Sequence, residues 1–334
     1  MSLARLLLAS ALAAVVVVGA AAAQEATNRD QSGYTLLKPE GFPIRAAVKA
    51  VPASEAALRD DDVVIGVAIG GEARAYPVNL MWEPVNEVLN DTLGGTPITA
   101  TWCPVAHSAA VYDRSLDGQS LELGAVGLRQ GVFILYDRST RSWWSQVVGR
   151  AVEGPRAGRT LTKRASTVTT WAAWRRAEPQ TTVFWDPQLP GRRRFTEESL
   201  SRITLAGKGP IVNADLVVGL EGAKVGARAY LVRALAAAGG VANDTFDGEP
   251  IVVVLAPDAV TVSTWLRRAD GRVLTFERPG PQWRDRETGS AWDMQAGRAV
   301  SGALAGRTLE KRVHTPALWY AWRSQRPDTS LWEP

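Results

Sequence analysis

The segment Trp102-Cys103-Pro104-Val105-Ala106-His107-Ser108 holds the only cysteine of the chain and one of its two histidines, four positions apart. A thiol becomes a useful nucleophile near neutral pH only when a base or a positive field lowers its pKa. One reading therefore makes Cys103 a nucleophile, His107 its base, and Asp91 or Asp113 the carboxylate that orients the imidazole. The same groups allow a second reading, because thiolate and imidazole are the usual ligands of zinc and copper: Cys103 and His107 as soft donors, with Glu87 or Asp91 as a harder third. A closed four-ligand Cys/His zinc site is excluded, since the other histidine, His314, sits at the predicted start of a distant helix. A plainer reading treats Cys103 as a small apolar residue beside a buried strand. Four residues of loop or strand leave open whether the two side chains meet, so exposure is the discriminating observation: a solvent-reachable Cys103 facing His107 favours chemistry, a buried one favours scaffold.

Around this segment stand further pocket candidates. Glu87, Asn90 and Asp91 are at helical spacing and would line a pocket from one face, although Asn90-Asp91 ahead of Thr92-Leu93-Gly94-Gly95 also reads as an ordinary turn. Trp144 and Gln146 combine an aromatic and an amide, which suits sugar or peptide ligands; tryptophans alternating along a strand suit a core equally well.

What must position these residues is mostly β. Val63 to Ile69 and Ala73 to Val78 flank Gly70-Gly71, a two-glycine turn between apolar runs that predicts a hairpin. Pro97 to Trp102 is apolar and β-branched and predicts a buried strand, with Ser108 to Tyr112 and Val132 to Tyr136 continuing the pattern. The chain then repeats itself, which must be recognised before any fold is assigned. Residues 137–163 match 285–311 at a spacing of 148 with 16 of 27 positions identical. Ala73-Arg74-Ala75-Tyr76 returns as Ala227-Arg228-Ala229-Tyr230, and Asn90-Asp91-Thr92 as Asn243-Asp244-Thr245. Leu255-Ala256-Pro257-Asp258 stands where the first copy has its cysteine and keeps only the proline. Thiol or metal chemistry therefore belongs to the first copy. Each copy is expected to close with one helix, capped by Thr315 before Pro316 in the second and by Thr167 in the first. The expected architecture is two pseudo-symmetric tandem domains, each a twisted sheet or partly open barrel with one helix: residues 37–187 and 211–334, joined by a linker over 188–210 and preceded by an N-terminal segment, 24–36.

Residues 1–23 have the three parts of a cleavable secretory signal: Arg5, the apolar run Leu6 to Val18, and the small residues Ala21-Ala22-Ala23. Cleavage before Gln24 would place the protein in the periplasm or outside the cell, with no membrane span afterwards. A lone cysteine leaves no internal disulfide, so the fold is expected to rest on its core. The formal net charge of +4 is a small excess over 334 residues. The Arg192-Arg193-Arg194 run reads as a solvated loop, and nucleic acid is not an expected partner. A monomer is expected.

The chain resembles the bacterial proteins of domain of unknown function 3179. Their motifs are similar to Asn86-Glu87-Val88-Leu89-Asn90-Asp91, where the family has His-Glu-x-x-Asn-Asp; to Trp102-Cys103-Pro104-Val105-Ala106, where it has Tyr-Cys-Pro-x-Cys; and to Tyr136-Asp137-Arg138-Ser139-Thr140-Arg141-Ser142-Trp143-Trp144-Ser145-Gln146. The resemblance spans nearly the whole mature chain and implies a soft-metal or redox site in relatives. Here Asn86 replaces the histidine and Ala106 the second cysteine. The resulting expectation is a non-catalytic or degenerate ligand-binding protein of the cell envelope, taking a small molecule or an envelope protein as partner and no cofactor. The competing expectation is a cysteine-dependent enzyme, or a zinc or copper protein, centred on Cys103, His107 and Glu87.

Overall fold

Val63–Ile69 and Glu72–Pro77 pair antiparallel through Gly70-Gly71. Both glycines take positive φ, which a side chain resists. In this computed structural model, which describes residues 33–45, 48–189 and 195–334, that hairpin is the centre of a five-stranded sheet. The expected signal segment 1–23, residues 24–32 and the Arg192-Arg193-Arg194 run lie outside the described residues. Ser166–Thr170 flanks the hairpin on one side and Thr182–Phe184, running parallel, on the other. The later half repeats four of these five strands: Thr315–Leu318, Leu216–Glu221, Ala227–Leu231, then Thr329–Leu331 in parallel, with no counterpart of the fifth, Ala50–Pro52, among the described residues. In each sheet a glycine lies under a helix tryptophan. A Cβ on Gly66 would collide with the ring of Trp174, and one on Gly219 with that of Trp322.

A meander of Val88–Leu93, Thr96–Cys103 and Ser108–Asp113 follows in the first half. Val241–Phe246, Glu249–Leu255 and Val262–Leu266 follow in the second. Further small sheets are built on Val132–Asp137 and on Trp283–Asp285. The chain is mostly β, 44% strand against 12% helix, and no sheet among the described residues closes into a barrel. Asn90 and Asp91 lie on a strand, with the turn at Gly94-Gly95, so they are not held at helical spacing.

The helix expectations need correction. Thr315 and Pro316 belong to a strand paired with Leu216–Glu221, whose ladder takes the backbone groups a helix would use. The proline is tolerated there because the strand is at the sheet edge. The helix begins only at Trp319 and has no side-chain cap. Thr167 is likewise in a strand, and Thr170 caps Trp171–Ala177 by accepting from the Ala173 amide at 3.3 Å. There are also more helices than one per half: Val232–Ala237 in the second, and Glu197–Leu205 within the expected linker, the latter closed by a capping box of Thr196 and Ser199.

The halves share a core. One apolar cluster joins Tyr112, Phe133 and Trp144 to Val217, Trp319 and Trp322. The Leu318 amide donates to the Ala106 carbonyl at 2.8 Å. Lys163 Nζ donates to Thr315 Oγ1, and Lys311 Nζ donates to Thr167 Oγ1, so each half lends a lysine to a threonine of the other. Among the described residues no helix is long and apolar enough to cross a membrane.

Candidate functional site

Cys103 ends the buried strand Thr96–Cys103 and is 1% exposed. Burial, and next the nearby Glu87, push its thiol up to about 12, so it stays protonated near neutrality. Burial also raises Glu87 well above the usual carboxyl range. The two share a cavity of about 260 Å³, walled mainly by apolar groups such as Leu36, Phe42, Leu128 and Phe133. Part of that wall is the short strand Leu36–Leu37, which pairs with Leu123–Arg129 and so ties residue 36 into the first half.

His107 faces elsewhere. It follows the strand in a tight turn, at φ 45°, and its ring packs edge-on against Trp102 and Phe195. Neither ring nitrogen has a hydrogen-bond partner among the described residues, so no bond joins it to Cys103. Its companion is instead His314: both line one small apolar cavity between the halves, with Trp102, Val168, Val260 and Pro316. Sequence reasoning placed His314 far away. Burial lowers His107 to about 4 and His314 to about 3, so both imidazoles are neutral at neutral pH. This cavity offers only about 30 Å³, room for a water or two.

The other candidates are held by structural contacts. Asp91 accepts from Arg74 and from the Tyr76 hydroxyl at 2.7 Å, and Asp244 does the same with Arg228 and Tyr230. Asp113 pairs with Arg164. Asn86 accepts from Arg45 at 2.8 Å. Trp144 is fully buried and donates to Asp137, while Gln146 exchanges hydrogen bonds with Ser108 and Thr101 in the interior. Among the described residues no three His, Cys, Asp or Glu side chains converge as a ligand set. Cys103 and Glu87 are brought together at one cavity, and His107 lines another.

A third cavity was not legible from the motifs. About 250 Å³ lies between Thr167, Thr169 and Trp174 of the first half and Thr261, Ser263, Trp265 and Lys311 of the second. Alternation along two strands divides it from the histidine cavity: Thr167 and Thr169 face one and Val168 the other, as Thr261 and Ser263 face one and Val260 and Val262 the other. Ala68, Ala165, Ala177 and Ala296 leave the space open. Burial lowers the Lys311 amine to about 8 against the opposing charge of Glu178, and burial raises Glu178 in turn. The amine donates to Thr167 Oγ1 and stands over the Trp265 ring, 5.8 Å from its centroid. The signal that would have found this site is the set of positions where the repeated segments differ from large to small.

A family model described as Protein of unknown function (DUF3179) matches residues 41–329. No curated protein and no solved structure matches the chain.

Proposed function

The chain belongs to the DUF3179 family, and we propose that it is an exported, non-catalytic binding protein of the cell envelope, with its ligand in the Lys311 cavity. The reading takes the chain as two diverged copies of one β domain, residues 37–187 and 211–334, behind a cleaved signal over 1–23. One observation carries it: hydroxyls, an amide, aromatic edges and a lysine from both halves converge on a cavity that reaches solvent at the exposed Ala68. A few placed polar groups in an otherwise small-walled cleft are the usual makeup of a ligand site. The cysteine cavity supports the alternative less well. Its thiol stays protonated and its histidine is turned away, so neither a nucleophile nor a soft-metal set is assembled.

The test is extraction. Protein purified without denaturation from its exporting cells is acid-extracted, and the released small molecules are compared by mass spectrometry with those from Ala296→Phe, which fills the cavity. A compound carried by the parent and missing from the variant is expected. Identical extracts would overturn the assignment.

A further inference from the structure

Lys311 and Lys163 occupy matching places. Lys163 pairs with Tyr112 on the strand Ser108–Asp113, Lys311 bridges to Trp265 on the strand Val262–Leu266, and each amine stands over that aromatic ring at 5.9 and 5.8 Å. Each also donates to the threonine, Thr315 or Thr167, that lies opposite the sheet glycine, Gly219 or Gly66, of the other half. The surroundings then diverge. Two residues beyond Gly219 stands Glu221, whose Oε2 accepts from Lys163 Nζ at 2.9 Å; two residues beyond Gly66 stands Ala68, which lines the open cavity. By the same spacing, Gln325, Val148 and Val313 have Ala177, Ala296 and Ala165 as counterparts. No carboxylate ion-pairs with Lys311 among the described residues; Glu178 acts on it only as a more distant charge.

We propose that the Lys311 cavity binds a short carboxylic acid, whose carboxylate takes the position against Lys311 that Glu221 takes against Lys163. The inference rests on the reading of this cavity as the binding site and names its ligand class. The filled side acts as a template. Ala68 lacks the CH₂ and carboxylate of a glutamate beyond Cβ, so the missing fragment has the size of acetate, and the other alanines leave room for a few more atoms. The far wall differs too. Thr169 and Ser263 stand where the other half has Ala317 and Ala110, and Thr169 and Thr261 share a hydrogen bond at 2.8 Å. Those hydroxyls suit a polar tail, so lactate should bind better than propionate. Glu178 sets the limit on charge. By the same spacing it stands where the other half has Arg326, which donates to Glu221 at 3.0 Å, so the ligand's carboxylate relies on Lys311, a second carboxylate would be repelled, and succinate should bind worse than either.

Calorimetric titration of the full chain with propionate and lactate tests the proposal. Wild type should bind one equivalent. Ala68→Glu, which tethers a carboxylate onto Lys311, should bind none, and Lys311→Met should weaken binding about tenfold or more, the scale of a lost charge-assisted hydrogen bond. Glu221→Ala removes the built-in carboxylate from Lys163 and should let acetate bind there as a second equivalent, while Val148, Val313 and Gln325 keep the longer acids out, so the test includes a variant that gains a site. Unchanged heats in Ala68→Glu, or absence of carboxylate binding in wild type, would overturn the proposal. If the native extract instead yields a neutral compound or an amine that Ala296→Phe loses, the cavity assignment survives and the ligand class fails.

Discussion

The Cys103 cavity and the Lys311 cavity are nearly equal in size, about 260 and 250 Å³, and opposite in character. The first gathers the residues that stand out in the sequence and then holds them in their uncharged forms: thiol at about 12, carboxyl raised, apolar walls. The second gathers residues that carry no motif, an amine at about 8 and hydroxyls from two distant strands, where a ligand can reach them. A reactive residue type matters less than the dielectric around it. Burial with no cation against it holds an acid in its uncharged form, and a cleft lined by hydroxyls and a carboxyl leaves a lysine usable.

The strongest test of this contrast concerns His107, which would belong to the cysteine site if it were a catalytic base. Its folded pKa is depressed, from 6.5 to about 4, so the stability it carries is present above its unfolded pKa and is lost as pH falls through that window. The loss should reach about 3 kcal/mol. His107→Gln should flatten the corresponding part of a plot of unfolding free energy against pH. An NMR titration placing the imidazole near its ordinary value would break the comparison.

Next in size, Cys103→Ala should destabilise by about 1 to 2 kcal/mol, as removal of a small buried group does. The native thiol should resist a thiol-specific disulfide reagent at pH 8 until the protein is unfolded; rapid labelling of folded protein would restore the cysteine site as a candidate for chemistry.

Glu87 carries the opposite sign from His107. Its folded pKa is raised, so its contribution is fully present below the unfolded value and is lost as pH rises through the folded one. Glu87→Gln, which cannot ionise, should therefore lose less stability than the parent in going from pH 5 to pH 9, by about 1 kcal/mol or more; parallel curves would show that Glu87 is ionised and solvated.

The smallest effect is at the other cavity. Glu178 raises the Lys311 pKa against burial, so Glu178→Gln should move the NMR titration midpoint of that amine further down, and an upward shift would mean that the two do not face each other across the cleft.

Much of this was legible from the chain alone. The Gly70-Gly71 hairpin, the buried strand into Cys103 and the recurrence of Asn90-Asp91 as Asn243-Asp244 rest on backbone sterics and apolar alternation within a few residues. Those forces act locally. The helix starts at Trp171 and Trp319 were misplaced because Thr167 and Thr315, good caps in isolation, are taken by strand ladders with partners far off in sequence. Long-range pairing overrides a local capping preference.

The sequence by itself determined the family and the mostly β character. Tertiary structure alone decided that His107 turns from Cys103 toward His314, and that Lys311 meets Thr167 while Lys163 meets Thr315. The physical reason is the same in both cases. A strand sends successive side chains to opposite faces, so neighbours in the chain part company, and which distant group each one meets is set only when the two halves pack their sheets together.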